Sequence, residues 1–311
     1  MESQFRCVTP GASPTLAIHP GALGDVLLAI PALRALRAVG GMVVLAAQPR
    51  IGALLEALGV VDRHVAFDSL GLDTLFVDDA GRSPRLPPLA RVVCWFGARD
   101  SGFVRRLTAL VPGAVVATPA GDGGPVWKHL LDSVGAGPGE WCSPVPVPDS
   151  VRELGAETMA AAGADGPPPW LVVHPGAGSA AKRWPAEAFA RAIVTLAAHR
   201  RLNVLVHQGP ADAEAAAALR RHIGAGAVWL VEPTLPALAG VLARAHVYLG
   251  NDSGVSHLAA ALGVPALVLF DARHLAWQPW WPGARPRTVT LTDAAPDEVA
   301  AVIAELAEML R

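Results

Sequence analysis

Leu16-Ala17-Ile18-His19-Pro20-Gly21-Ala22 and Leu171-Val172-Val173-His174-Pro175-Gly176-Ala177 are two versions of one pattern, about 155 positions apart. In each, a short run of Ile, Leu, Val and Ala stops at His-Pro-Gly, the way a strand buried on both faces gives way to a glycine-bearing turn. The separation is too long for a solenoid repeat. It implies two similar α/β domains, each with its first strand feeding a loop at the strand's carboxyl end. Loops in that position are where open α/β sheets bind ligands.

The rest of the chain agrees with this reading. Strands are expected at Thr15–Ile18, 43–46 and 92–96, then at Trp170–His174, 203–207, 228–230, 247–249 and Ala266–Phe270. Helical periodicity fills the intervals at 25–39, 52–58, 151–162, 185–199, 211–221, 235–243, 255–262 and 296–310. Pro31 lies inside the first of these and should kink it or mark the end of its first two turns. Strands separated by helices make a parallel sheet covered on both faces. Residues 135–149 are rich in Pro and Gly without periodicity, so the domain boundary is placed there, giving domains 1–149 and 150–311.

Composition bounds the function. The 311 residues suit two cores, and a formal net charge of -2 excludes the cationic excess that bulk nucleic-acid binding needs. Three scattered cysteines, Cys7, Cys94 and Cys142, form no disulfide framework and suit a reducing compartment. The first dozen residues look disordered and carry no signal-peptide pattern. The longest uncharged run, 253–270, contains Ser, His, Gly and Pro and reads as a helix–turn–strand unit. A soluble, cytoplasmic protein is expected.

Three stretches carry chemistry. Gly21-Ala22-Leu23-Gly24-Asp25 opens a helix and places a carboxylate where the helix dipole favours its ionised form; Asp25 reads equally well as a cap. The loop lacks the spacing of a dinucleotide fingerprint. His174 to Pro185 combines Gly178, Ser179 and Lys182, small residues and a positive charge suited to wrapping a phosphate, without the ending of a P-loop. Trp184 just before the next helix argues for a packed site rather than a free surface loop. Asn251-Asp252-Ser253-Gly254, with His257 a turn later, starts a helix after a strand, a ready anion site. Its Ser, His and Asp lack a nucleophile elbow, so a hydrolase triad is the weaker reading.

Weaker signals surround these. Asp212 and Glu214 open a helix after Gly209-Pro210 and suit either the dipole or a ribose. Asp78 and Asp79 read as a solvated loop rather than a metal pair. Arg82, Arg85, Arg91, Arg99, Arg105 and Arg106 form a partly solvated face that could also dock an anionic acceptor. Trp277, Trp280 and Trp281 could stack on a base or sugar, or pin a loop.

Taken in order, the three motifs resemble glycosyltransferase family 9, the heptosyltransferases of lipopolysaccharide core assembly. The residues that carry the resemblance are Gly24-Asp25 with Pro31-Ala32-Leu33, His174 through Pro185, and Asn251 through Pro265. The resemblance implies a GT-B fold: two Rossmann-like, doubly wound parallel-sheet domains facing a central cleft, the first for the acceptor and the second for the donor. The last helix would be free to pack back toward the first domain. It implies an inverting, metal-independent transfer of a sugar, typically heptose from ADP-heptose, to a lipopolysaccharide-core or related glycan acceptor at the membrane's inner face. No cofactor and a monomeric state are expected. On this reading Asp25 is the general base, and Gly178, Ser179, Lys182, Asp252, Ser253, Gly254 and His257 hold the donor diphosphate. Asp212 or Glu214 addresses the ribose, and Gly24, Arg99, Arg105 and Arg106 serve the acceptor. One departure stands out: after Leu269-Phe270 the family usually has glycine, and this chain has Asp271. An epimerase or hydrolase of nucleotide sugars, or a non-catalytic binding protein, are the other readings.

Overall fold

The computed structural model describes residues 14–77, 83–87, 91–137 and 139–311. The first dozen residues, Cys7, Asp78, Asp79 and Arg82 lie outside the described residues. The chain divides into two compact units, Met1–Trp141 and Cys142–Arg311, with the break inside the Pro/Gly-rich stretch 135–149. Residues just after the break go with the second unit, where the Val145 N–H donates to the Ala261 carbonyl at 2.8 Å.

The first unit runs β1 (Thr15–Ile18), α1 (Leu23–Leu28), α2 (Ile30–Gly40), β2 (Val43–Ala47), α3 (Pro49–Ala57) and β3 (Arg63–Ala66). Two 3₁₀ turns follow, then β4 (Arg91–Cys94), α4 (Ser101–Leu110), β5 (Val115–Val116) and α5 (Val126–Ser133). Its sheet is parallel in the order β3-β2-β1-β4-β5. The expected kinked helix is two helices, broken at Ala29, with Pro31 in the first turn of α2 where its missing N–H costs nothing. Leu16, Ile18, Val44, Ala46, Val92 and Cys94 form one face of the sheet's core against Phe103 and Leu107 of α4.

The second unit runs α6 (Asp149–Ala161), β6 (Trp170–His174), α7 (Ala186–His199), β7 (Asn203–Gln208), α8 (Ala213–Ile223), β8 (Val228–Val231) and α9 (Leu235–Leu242). It ends with β9 (Val247–Asn251), α10 (Gly254–Ala261), β10 (Ala266–Phe270), β11 (Ala284–Thr288) and α11 (Pro296–Met309). The sheet is again parallel, in the order β11-β10-β9-β6-β7-β8. Val299, Val302 and Leu306 of α11 share a core with Phe189 and Ile193 of α7, so the last helix packs within its own unit. Each such side chain contributes about 1.5–3 kcal/mol by leaving water.

Helices α6 and α9 cross at two glycines. A Cβ on Gly240 would strike the Val151 carbonyl and stand 2.7 Å from Gly155 Cα. Gly240→Leu is therefore expected to cost roughly 3 kcal/mol or more, read as a lower denaturation midpoint in urea; an unchanged midpoint would contradict this packing.

In both sheets the strand order reverses beside the first strand of the unit, between β1 and β4 and between β6 and β9. The crevice outside those carboxyl ends is where such sheets bind ligands. The two His-Pro-Gly turns begin there.

Candidate active site

In the first unit the turn after β1 is tightly specified. The Gly21 N–H donates to His19 Nδ1 at 3.2 Å, and the next amide, that of Ala22, donates to Asp25 Oδ2 at 3.1 Å. Gln48 Nε2 donates to the Gly21 carbonyl at 3.2 Å. Asp25 thus does cap α1, from its third position, and Oδ1 is left without a partner among the described residues. The cap occupies one carboxylate oxygen and leaves the other free for a second role. Gly24 lies one residue earlier in the same turn. At the neighbouring end of β4, buried Trp95 sits 5.7 Å from the His19 ring and donates through Nε1 to Ser133 Oγ at 2.9 Å.

The three acceptor-side arginines differ. Arg99, in the turn between β4 and α4, and Arg105, on α4, are both exposed. Arg106 Nε donates to the Leu75 carbonyl at 2.8 Å, which ties it to the fold.

The second unit brings the two sequence motifs together. Lys182 Nζ lies 2.7 Å from Asp252 Oδ2, and His257 Nε2 lies 3.7 Å from Asp252 Oδ1. Burial works to raise the Asp252 carboxyl, but hydrogen bonds to His257 and Lys182 outweigh it and hold the group below its ordinary value. Ser253 caps α10, its Oγ accepting from the Ser256 N–H at 3.3 Å. Gly254 is the first helical residue, so its amide is among the open donors of the helix start. Gly178 and Ser179 are exposed on the loop before the 3₁₀ turn Ala180–Lys182. His257 is buried behind Asp252, so it acts on that carboxylate rather than reaching outward.

Asn251, which the sequence reading passed over as part of a motif, closes this loop. Its Oδ1 accepts from the Trp184 N–H at 2.9 Å, and its Nδ2 donates to the Pro175 and Gly176 carbonyls at 2.9 and 3.3 Å. One fully buried amide therefore ties both ends of the 175–184 loop to β9. Trp184 is anchored twice, donating through Nε1 to Glu298 Oε1 at 2.9 Å. The packed site that its bulk called for is the core beneath α7.

The two ribose candidates part company. Asp212 is buried, with Oδ2 accepting from the Gly209 N–H at 3.0 Å and its carboxylate against Gly176, where any Cβ would clash. It holds two loops together. Glu214 has its side chain 84% exposed and pairs with Arg183 at 2.9 Å.

Behind the loop, His174 and His207 face each other through Nδ1 atoms 3.0 Å apart, so one hydrogen at most lies between them. Burial lowers both pKa values; His207 and His174 also repel each other's charge, while Asp212 favours it on His174. Burial likewise lowers His19 to about 4, partly opposed by Asp25. A buried neutral imidazole takes up its proton only after unfolding, so the unfolded chain binds more protons below about pH 6.5. Stability is thus complete above that pH and falls as pH drops toward 4, by about 3 kcal/mol from His19 alone. Thermal melts from pH 7.5 to 4.5 check this; a flat profile would contradict it.

At the end of β10, next to Asp252, the Asp252 N–H donates to the Leu269 carbonyl at 2.9 Å. Asp271 follows there, held by Arg273 through Nε at 2.9 Å and Nη2 at 2.8 Å, and it caps the 3₁₀ turn 272–277. Hydrogen bonds from Arg273 keep the Asp271 carboxyl far below its ordinary value.

The model of glycosyltransferase family 9 (heptosyltransferase) matches residues 144–297, nearly the whole second unit, including Lys182, Asn251 and Asp252. Over that unit the chain matches glycosyltransferase family 9. It is similar to lipopolysaccharide heptosyltransferase 1 of Pseudomonas aeruginosa, 37% identical over 126 residues, which are 40% of this chain and 35% of that protein. A shorter stretch, 48 residues at 40% identity, is similar to lipopolysaccharide heptosyltransferase 3 of Escherichia coli and covers 15% of this chain and 14% of that one. The chain thus matches about a third or less of the length of these relatives. In fold the likeness is nearly complete. The Escherichia coli ADP-heptose lps heptosyltransferase II superposes with TM-score 0.75 over 96% of this chain and 98% of that one, at 18% identity. A family 9 glycosyl transferase from Veillonella parvula gives 0.72 over 96% and 97%, at 16%. The two parallel-sheet units have the GT-B fold. Asp25 lies outside the matched segment. Among the described residues no helix is long and apolar enough to cross a membrane.

Proposed function

We propose that this family 9 chain transfers a sugar, of the heptose class, from a nucleoside-diphosphate donor such as ADP-heptose to a lipopolysaccharide-core or related glycan. The single observation that carries the proposal is the loop–helix arrangement of the second unit: Lys182, at the end of the exposed loop that carries Gly178 and Ser179, meets Asp252 directly before the open amides at the start of α10. Positive charge beside helix N–H groups is what a leaving diphosphate requires. The names of the relatives point to the same substrates.

In the proposed reaction Asp25 takes the proton of an acceptor hydroxyl through its unpartnered Oδ1. The oxygen attacks the anomeric carbon as the bond to the diphosphate breaks, and the configuration inverts. Lys182 and the α10 amides receive the charge that develops on the leaving nucleoside diphosphate. No metal is needed for that balance, and the enzyme works as a monomer at the cytoplasmic face of the membrane.

The test supplies purified protein with ADP-heptose, UDP-sugars or GDP-sugars, with and without heptose-free lipopolysaccharide core oligosaccharide, in chelator. Acceptor-dependent ADP release that survives chelator supports the proposal. Release without acceptor favours a hydrolase, and binding without turnover a non-catalytic protein.

A further inference from the structure

His19 is buried at 1% exposure at the end of β1, and the reaction above makes no use of it. Its Nδ1 accepts from the Gly21 N–H, so that nitrogen carries no hydrogen and the ring proton sits on Nε2. Nε2 is buried and has no partner among the described residues. An unsatisfied buried donor is costly and calls for an explanation.

The tautomer that leaves it so is fixed by the next two residues. A Cβ on Gly21 would stand 2.7 Å from His19 Cε1 and 2.9 Å from Asp25 Cβ, so the imidazole and the Asp25 side chain flank one glycine. The amides of Gly21 and Ala22 are claimed in succession, the first by His19 and the second by Asp25. The Gly21 amide belongs to the peptide before the Gly21 Cα and the Ala22 amide to the peptide after it, so the two hydrogen bonds hold the backbone on both sides of the glycine, and the second of them orients Asp25 Oδ2. We propose that His19 is a positioning residue for Asp25, acting through the Gly21 amide and leaving Oδ1 aimed for the acceptor hydroxyl. This deepens the transfer reading and rests on it. The alternative purpose for the ring, packing on Trp95, requires its bulk but not its nitrogen.

Two substitutions separate those purposes. His19→Phe keeps a ring against Trp95 and removes the acceptor; His19→Asn loses the ring and places an oxygen near the site of Nδ1. With ADP-heptose and heptose-free core oligosaccharide, His19→Phe is expected to lower kcat about 100-fold, the effect of a misaimed catalytic group, with ADP affinity by calorimetry unchanged. His19→Asn is expected to recover most of the rate. Gly21→Ala, which forces the imidazole and Asp25 apart, is expected to resemble His19→Phe. Equal rates in His19→Asn and His19→Phe, or losses that follow melting temperature, overturn the proposal. A wild-type rate in Asp25→Asn overturns the base reading and this proposal with it; a slow Asp25→Asn beside a fast His19→Phe overturns this proposal alone. Ring 15N shifts at pH 7 decide the matter without substrate: hydrogen on Nε2 supports it, and hydrogen on Nδ1 overturns it.

Discussion

Replacing Asp25 by Asn is expected to lower sugar transfer by a factor of roughly 10²–10⁴, the usual contribution of a positioned general base, while ADP binding stays as it was. The substitution is chosen for its shape. The amide oxygen of Asn accepts from the Ala22 N–H as the carboxylate does, so α1 keeps its cap and the turn keeps its form. What disappears is the second oxygen's ability to take a proton. Single-turnover measurement of ADP release, with calorimetry on ADP, separates the two quantities. A variant that transfers sugar at the wild-type rate would remove Asp25 from the chemistry and leave it only the cap of α1.

The second large effect is expected at Lys182. Removing its charge in Lys182→Met should weaken ADP binding about 10- to 100-fold, since a hydrogen bond from a charged donor is worth about 1.5–3 kcal/mol. The same change leaves Asp252, whose side chain is 8% exposed, with His257 as its remaining partner, so the melting temperature should fall as well. Lys182 itself is 31% exposed, which keeps that loss moderate. The double variant Lys182→Met/Asp252→Asn tells the two effects apart, because neutralising the stranded carboxylate restores stability but not affinity. If the double variant regains ADP binding, the role of Lys182 lies in stability alone.

The sequence made some of this plain and hid the rest for identifiable reasons. Strands β1, β6 and β10 were legible because a strand buried on both faces is an unbroken apolar run. Pro31 announced the break between α1 and α2 because no helix interior tolerates it. β11 was missed: Ala284-Arg285-Pro286-Arg287-Thr288 reads as a polar loop, and only an edge strand accepts its proline and charges. β3 has one large apolar residue and is half-buried throughout.

At the candidate site, the motifs named residues but not which way they face. Nothing in sequence spacing says that Lys182 and Asp252, 70 positions apart, are in contact, or that Asp212 is turned inward while Glu214 is not. Asn251 carried a usable signal, since a buried amide at a strand end must satisfy both its oxygen and its nitrogen. Its partners, the carbonyls and amide of a loop 75 residues earlier, could come only from the fold.

The glycine that family 9 usually carries after β10 is here Asp271, a negative charge beside the proposed anion site. The chain cancels it two residues on, with both carboxylate oxygens held by Arg273. Losing Arg273 alone would leave both Asp271 oxygens without that partner, and losing Asp271 alone would leave the Arg273 guanidinium without its carboxylate, so the two charges form one electrostatic unit of near-zero net charge at the end of β10.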